Sequence, residues 1–369
     1  MPIYHSLKHL FTQHILDAKK RLVAFNLKMN TRKSIKITLK SNRTPKLDSK
    51  EIEETRAYFK SKGCKISNTY WHQYYKSING EFYTNYIPED VFCAIISPKF
   101  NQMRQWPALL DKNLSYNLFK NIHQPKCVVQ NINGFYYING AIVSEKMALE
   151  TCKSNDISLV IKPTIDSGNG TMVETFTVDN NITSFKNFTL LELFMYYKKD
   201  FIVQESVQQS EALASLNPSS LNTLRLMTYL KEDGTHVLSA VLRIGQQGSH
   251  TDNFSGGGIV CGIDKNGKLK DKGYSKDGKV YTASHTNVAF KGFQIPNYVE
   301  VLNMVKAMHP KVPYFKFISW DIGIDKDNSP IFIEYNTYYQ DVDLHQITNG
   351  PLFGDFTDEI LKIALKSKN

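Results

Sequence analysis

The sequence predicts an α+β protein whose N-terminal region is mainly helical. Three observations carry that expectation. Apolar residues recur at helical spacing near the start, strand-like and helix-like runs alternate from Trp106 onward, and Trp320 to Gln346 reads as two strands joined by the polar turn Asp325-Lys326-Asp327-Asn328-Ser329. A chain of 369 residues has room for two or three domains with a real core.

In the first helical stretch, residues 3–28, the apolar positions Ile3, Leu7, Leu10, Phe11, Ile15, Ala18, Leu22 and Phe25 alternate with Lys8, Lys19, Lys20, Arg21 and Lys28. That is the spacing of a basic amphipathic helix, which either docks on its own protein or lies on an anionic membrane. Asp48 or Ser49 is placed to cap a second helix that runs to Lys62 and stops at Gly63. Residues 67–105 then crowd Tyr70, Trp71, Tyr74, Tyr75, Phe82, Tyr83 and Tyr86 ahead of the apolar run at 91–96. Packing between domains explains these rings better than base stacking, because no regular single-strand-binding pattern accompanies them.

Charge divides the chain unevenly. Of the net +10, residues 1–65 hold sixteen Lys and Arg against five Asp and Glu, so the remainder is close to neutral. Such a segment is expected to meet a polyanion: an anionic membrane surface or an acidic glycan fits, and nucleic acid is disfavoured. Cys64, Cys93, Cys127, Cys152 and Cys261 are odd in number and form no CxxC pair, which argues against a disulfide framework or structural zinc and for buried small hydrophobes. No apolar run approaches the ~20 residues of a membrane span, and the N-terminus lacks the features of a signal peptide. A cytoplasmic protein is expected, with peripheral attachment at the inner face of the membrane left open.

From Trp106 the runs CVVQ, GFYYI, SLVIKP, FTLLELFMYYKK and FIVQESV alternate between strand and helix character. The strand ending in Lys162-Pro163 leads into Asp166-Ser167-Gly168-Asn169-Gly170-Thr171, whose glycines Gly168 and Gly170 allow backbone N–H groups to close over phosphates, although Gly-Asn-Gly also makes a good hairpin turn. Lys162 is an ammonium inside an apolar strand and needs a partner, which a phosphate would supply. Gln204 and Glu205 end a hydrophobic strand, as at a hinge that bonds an adenine, and Glu211 could reach a ribose hydroxyl. Arg225 and Arg243, each flanked by apolar strand residues, are either paired with a carboxylate or aimed at an anion in a cleft.

In the late pair of strands, period-two alternation projects Glu334 and Asn336 together, with Asp321 beside them from the first strand. Three oxygen ligands so placed would suit one or two Mg²⁺ ions that also hold substrate phosphates, while the same pattern would serve an ordinary solvated hairpin.

The order of these parts, Asp111-Lys112, Ile161-Lys162-Pro163 with its glycine turn, Gln204-Glu205-Ser206, NTLRL, RIG followed by DNFSGGG, and Asp321 with Glu334-Tyr335-Asn336, resembles the ATP-grasp superfamily over about residues 106–350. The strings LASLNPSSLNTLRL and TDNFSGGGIV are similar to its sugar-transfer-associated branch, tied to polysaccharide assembly. The resemblance implies an ATP-grasp fold, two α+β subdomains clamping a nucleotide. A lid subdomain would span 106–203 and a C-terminal subdomain with the metal site 204–369, after the basic region 1–105. It further implies that Lys112 and Lys162 hold ATP phosphates under a lid carrying Gly168 and Gly170, and that Gln204 and Glu205 lie at the adenine hinge. Glu211 is then a candidate for the ribose, Asp321, Glu334 and Asn336 bind Mg²⁺, and Arg225 and Arg243 face the transferring phosphoryl group or the substrate carboxylate. Two features depart from the family pattern: the hinge has Gln204-Glu205 where paired acids are common, and the lid is short.

The activity implied is an ATP-dependent carboxylate–amine ligase working through an acylphosphate. Its partners would be a small-molecule or saccharide carboxylate and an amine acceptor, in cell-surface polysaccharide synthesis. A kinase on the same fold and a non-catalytic nucleotide- or polyanion-binding protein are the alternatives. His250 is the one histidine whose position suggests a base, and a solvated loop histidine is the plainer reading.

Overall fold

The computed structural model describes residues 2–365 apart from Asp166, Asn169, His250 and Tyr339, with side chains described from Leu22 onward. Two compact units make up the chain. One combines Met1–Asn101 with Asp341–Asn369, and the other is Gln102–Gln340.

The first unit is helical. Helix α1 spans Pro2–Ser41, well beyond the expected end near residue 28, because no Gly or Pro interrupts the chain between Pro2 and Pro45. Its packed face is Leu27, Thr31, Ile35 and Leu39, while Leu22 and Phe25 of the apolar stripe read from the sequence are exposed. Periodicity marks a helix but not which of two faces finds a neighbour, and here the downstream residues do. Helix α2, Ser49–Ser61, starts as the sequence suggests: Asp48 accepts from the Glu51 N–H at 2.8 Å and Glu51 accepts from the Asp48 N–H at 3.1 Å. It ends at Gly63, whose φ of 81° needs no side chain. In α3, Tyr70–Asn79, Trp71, Tyr74 and Tyr75 are buried and meet Tyr86, the Tyr75 and Tyr86 ring centroids lying 4.9 Å apart. These rings form this unit's own core, a correction to the inter-domain packing expected of them.

The second unit holds two antiparallel sheets. The strands are β1 (Cys127–Ile132), β2 (Phe135–Ile138), β3 (Ala141–Val143), β4 (Leu159–Pro163), β5 (Glu174–Phe176), β6 (Val178–Asp179), β7 (Ile182–Thr183) and β8 (Phe201–Glu205). They continue as β9 (Thr223–Lys231), β10 (Gly234–Ile244), β11 (Ile259–Ile263), β12 (Leu269–Tyr274), β13 (Val280–Tyr281), β14 (Phe317–Ile324) and β15 (Pro330–Asn336). One sheet runs β3-β2-β1-β8-β4-β5, the other β13-β12-β11-β10-β9-β14-β15, and β6 and β7 make a separate hairpin.

Each sheet has its own core. Val129, Leu159, Ile161, Phe201 and Val203 of the first sheet pack with Leu190, Leu193 and Phe194 of the helix Leu190–Tyr197. Leu224, Leu226, Leu242, Trp320 and Phe332 of the second pack with Val301 and Val305 of the helix Tyr298–Met308. Among the described residues no helix is long and apolar enough to cross a membrane. All five cysteines are free, and Cys64, Cys93, Cys152 and Cys261 are buried as small apolar groups.

The register of the larger sheet positions the site. Asp321 on β14 lies opposite Glu334 on β15 and, on its other side, opposite Arg225 on β9. Arg243 on β10 lies opposite Thr223 of β9. Directly paired residues put their side chains on one face, so the register sets Arg225, Asp321 and Glu334 in a row across three strands.

Candidate functional site

At the centre of that row, Arg225 donates from Nε to Asp321 Oδ1 and from Nη2 to Asp321 Oδ2, both at 2.8 Å. Arg243 adds a third donor, Nη2 to Asp321 Oδ2 at 3.1 Å, and reaches Asp252 Oδ1 at 3.3 Å. Thr223 ties the ends together: its hydroxyl bonds Asp252 and accepts from Arg243 Nη2 at 2.6 Å, while its backbone N–H donates to Asp252 at 3.0 Å.

The two aspartates respond differently to burial. Burial pushes the Asp321 carboxyl up, but Arg225 and then Arg243 outweigh it and hold the group below the ordinary carboxylate value. At Asp252 burial prevails over Arg243 and Thr223, and its carboxyl is raised. The sequence alternatives for the two arginines are thus resolved for Arg225, which is paired with a carboxylate in the core.

Two lysines arrive from outside this sheet, one from a helix and one from the other sheet. Lys112 opens the helix Lys112–Leu118, capped by the Asp111 side chain, and its backbone N–H donates to Thr164 O at 3.1 Å. Its ammonium donates to Ser167 Oγ at 2.9 Å and stands 3.6 Å from Glu334 Oε2. Lys162, on β4, is buried, and no hydrogen bond joins its ammonium to any described residue. Burial pushes it down to about 8, with Glu334 favouring its charge and Lys112 opposing it. Glu334 is thus the described anionic group that favours the charge on Lys162.

Glu334 and Asn336 face the same side of β15 and are partly exposed. Glu334 adds to the groups that hold the Asp321 carboxyl down. The donor set fits Mg²⁺ in part. Glu334 and Asn336 offer a carboxylate and an amide oxygen, as a hard cation sharing phosphates requires, whereas three N–H donors already occupy Asp321. Among the described residues no cluster of three or more His, Cys, Asp or Glu could hold a metal alone.

The glycine turn lies beside the loop that carries Asp252. Gly170 has φ +69°, and a Cβ there would meet Thr251 Cγ2 at 3.1 Å, while around Gly168 there is open space. Asp166 and Asn169 of this turn, and His250, fall outside the described residues. The remaining expected positions are not drawn into the cluster by any hydrogen bond. Gln204 is buried and donates to Pro125 O at 3.1 Å, Glu205 pairs with Lys126 at 2.7 Å, and Glu211 is exposed in the first turn of the helix Glu211–Leu216.

Three contributors were not singled out from the sequence as site residues: Thr223, Asp252 and Ser167. The only signal for them was their place inside the strings NTLRL, TDNFSGGG and the glycine turn.

A family model described as sugar-transfer associated ATP-grasp matches residues 94–360. No curated protein matches the chain. Among solved structures, the ATP-grasp ligase PsnB complexed with minimal precursor, Mg and ADP is similar at 11% identity and a TM-score of 0.42, over 72% of this chain and 62% of that one. An L-amino acid ligase from Bacillus licheniformis is similar at 14% identity and a TM-score of 0.41, over 72% and 48%. A D-alanine–D-alanine ligase from Bacillus anthracis complexed with ATP is similar at 14% identity and a TM-score of 0.40, over 72% and 67%. The chain spans less than two thirds of the length of the first two.

Proposed function

We propose that this chain, which belongs to the sugar-transfer associated ATP-grasp family and shares its α+β fold, is an ATP-dependent ligase that joins a carboxylate to an amine. One observation supports the reading above others. Lys162 is a buried ammonium with no described hydrogen-bond partner, close enough to Lys112 and Glu334 for both to act on its charge. Four cations (Lys112, Lys162, Arg225, Arg243) face three carboxylates (Asp252, Asp321, Glu334), so the cluster has formal room for an anion.

In this reading Lys112 and Lys162 bind ATP phosphates, and the loop with Gly168 and Gly170 covers them. Gln204 and Glu205 bound the adenine, and Glu211 is the candidate for the ribose. Glu334 and Asn336 would hold Mg²⁺, with Asp321 completing the site if an arginine yields an oxygen. Mg²⁺ bound there would neutralise charge between phosphate oxygens. Arg243, less buried than Arg225, is the better placed of the two to meet an incoming carboxylate.

A carboxylate oxygen attacks the γ-phosphorus as the bond to the β,γ-bridging oxygen breaks, giving an acylphosphate and ADP. The amine nitrogen then attacks the acyl carbon, loses a proton and expels inorganic phosphate. Water must be kept out between the steps, the work of the glycine loop. The proposed substrate is a saccharide or sugar-linked amino acid, with cell-surface polysaccharide synthesis as the proposed setting; the family's association with sugar transfer is what favours a sugar.

The test is incubation with MgATP and mixtures of uronic acids, sugar nucleotides and amino acids, followed by mass analysis. Phosphate release that requires both a carboxylate and an amine is expected. A stable phosphorylated sugar would make the protein a kinase instead, and no nucleotide binding at all would make it a non-catalytic protein.

A further inference from the structure

The proposed chemistry makes no use of α1, which presents two unlike faces. Leu27, Thr31, Ile35 and Leu39 are buried, and Arg32 Nε donates to Asp90 Oδ2 at 2.6 Å to fix the helix on its unit. On the opposite face Leu22, Phe25, Met29, Lys33, Lys36 and Lys40 follow at steps of three or four, so they lie along one line. The three apolar side chains are 60%, 59% and 48% exposed. The three lysines are exposed too, with the Lys36 ammonium 5.5 Å from the Tyr70 ring centroid.

The surrounding sequence has one sign of charge. No Asp or Glu occurs between Asp17 and Asp48, a stretch that holds ten Lys and Arg. A line that is apolar in one half and cationic in the other matches a bilayer with anionic headgroups. There the apolar side chains enter the acyl boundary while the lysines rest among lipid phosphates. A second copy of the helix fits less well, because Lys28 and Lys33 beside the apolar residues would meet like charges across the pair.

We propose that α1 docks this protein on an anionic membrane surface, with Leu22, Phe25 and Met29 inserting and Lys33, Lys36 and Lys40 contacting headgroup phosphates.

The test is co-sedimentation of the full-length chain with phosphatidylcholine vesicles, with and without phosphatidylglycerol. Two variants accompany the wild type: Leu22→Ser/Phe25→Ser/Met29→Ser and Lys33→Gln/Lys36→Gln/Lys40→Gln. All six side chains are exposed and the Lys36–Tyr70 contact is a surface one, so thermal unfolding by circular dichroism should change little in either. The wild type should bind only the anionic vesicles, and each variant should bind them at least ~10-fold more weakly. The proposal fails if the wild type ignores anionic vesicles or if the serine variant binds them as well as the wild type. It fails equally if the serine substitutions instead dissolve a dimer seen by sedimentation equilibrium. Binding to RNA that only the lysine variant loses, without vesicle binding, would replace the membrane with nucleic acid.

Discussion

Arg225 and Asp321 face each other through two parallel hydrogen bonds of 2.8 Å, with 6% and 1% of their side chains exposed. A guanidinium and a carboxylate joined this way are fixed in direction as well as in charge. Arg243 joins from the neighbouring strand, so Asp321 serves two guanidiniums at once.

Asp321→Asn should therefore be costly. Breaking a buried pair by removing one charge typically costs about 3–5 kcal/mol, and Asp252 remains to satisfy Arg243, so a loss of about 3 kcal/mol is expected in urea unfolding. The sign with pH follows from the lowered carboxyl. Its contribution is fully present above the ordinary carboxylate value and is lost as pH falls through the lower folded one. The Asn variant should show a flatter acid limb.

Lys162→Met separates binding from stability. Burial pushes Lys162 from 10.5 to about 8, so the ligand-free fold carries a penalty of up to about 3 kcal/mol below pH 8 that fades as pH rises toward 10.5. Methionine removes the charge at similar volume. The variant should be as stable as the wild type or more so, yet bind ATP at least ~10-fold more weakly. Phosphates that favour the charged lysine should also draw a proton onto it near pH 8. Calorimetric enthalpies of ATP binding by the wild type should then depend on buffer ionisation enthalpy, and those of the variant should not.

Glu334→Gln should likewise spare the fold and lose function. The side chain is 34% exposed and only 3.6 Å from its ion-pair partner Lys112, so unfolding should shift by less than about 1 kcal/mol. MgATP-dependent phosphate release should fall by about 100-fold or more, because the proposed anchor for Mg²⁺ loses its charge. Full activity in this variant would remove Glu334 from the site.

Gly245→Ala tests the loop that presents Asp252. A Cβ at Gly245 would come within 2.8 Å of Thr251 O and 2.7 Å of Asn217 Nδ2. Something must move, and overpacking of this kind costs about 1–3 kcal/mol. Thermal unfolding should report that loss. A matching fall in kcat would show that displacing the 251–252 backbone loosens Arg243 as well.

Part of this site was legible in the sequence because alternate residues of a strand share a face, which placed Glu334 and Asn336 together. Asp321 stands opposite Glu334 only because the β14–β15 register shifts between Asp321 and Ile322, a bulge that spacing alone does not reveal. Lys162 was legible as a charge in an apolar strand. The partners of the arginines were not, since Asp252 reaches Arg243 through a loop that no periodicity governs, and Asp321 lies 96 residues from Arg225. The exposed face of α1 was hidden for a different reason. Helical spacing marked Leu22 and Phe25 as apolar, but whether an apolar line is covered depends on which face meets the rest of the unit.

The chain order of the two units has a consequence for synthesis. The unit Gln102–Gln340 is continuous, whereas the helical unit is built from two segments, Met1–Asn101 and Asp341–Asn369, that flank it. The helix Val342–Asn349 supplies Gln346, whose side chain bonds both the N–H and the carbonyl of Ile87. On the ribosome the continuous unit can therefore fold as soon as it emerges, while the first hundred residues wait, partly assembled, for the last helices to be made.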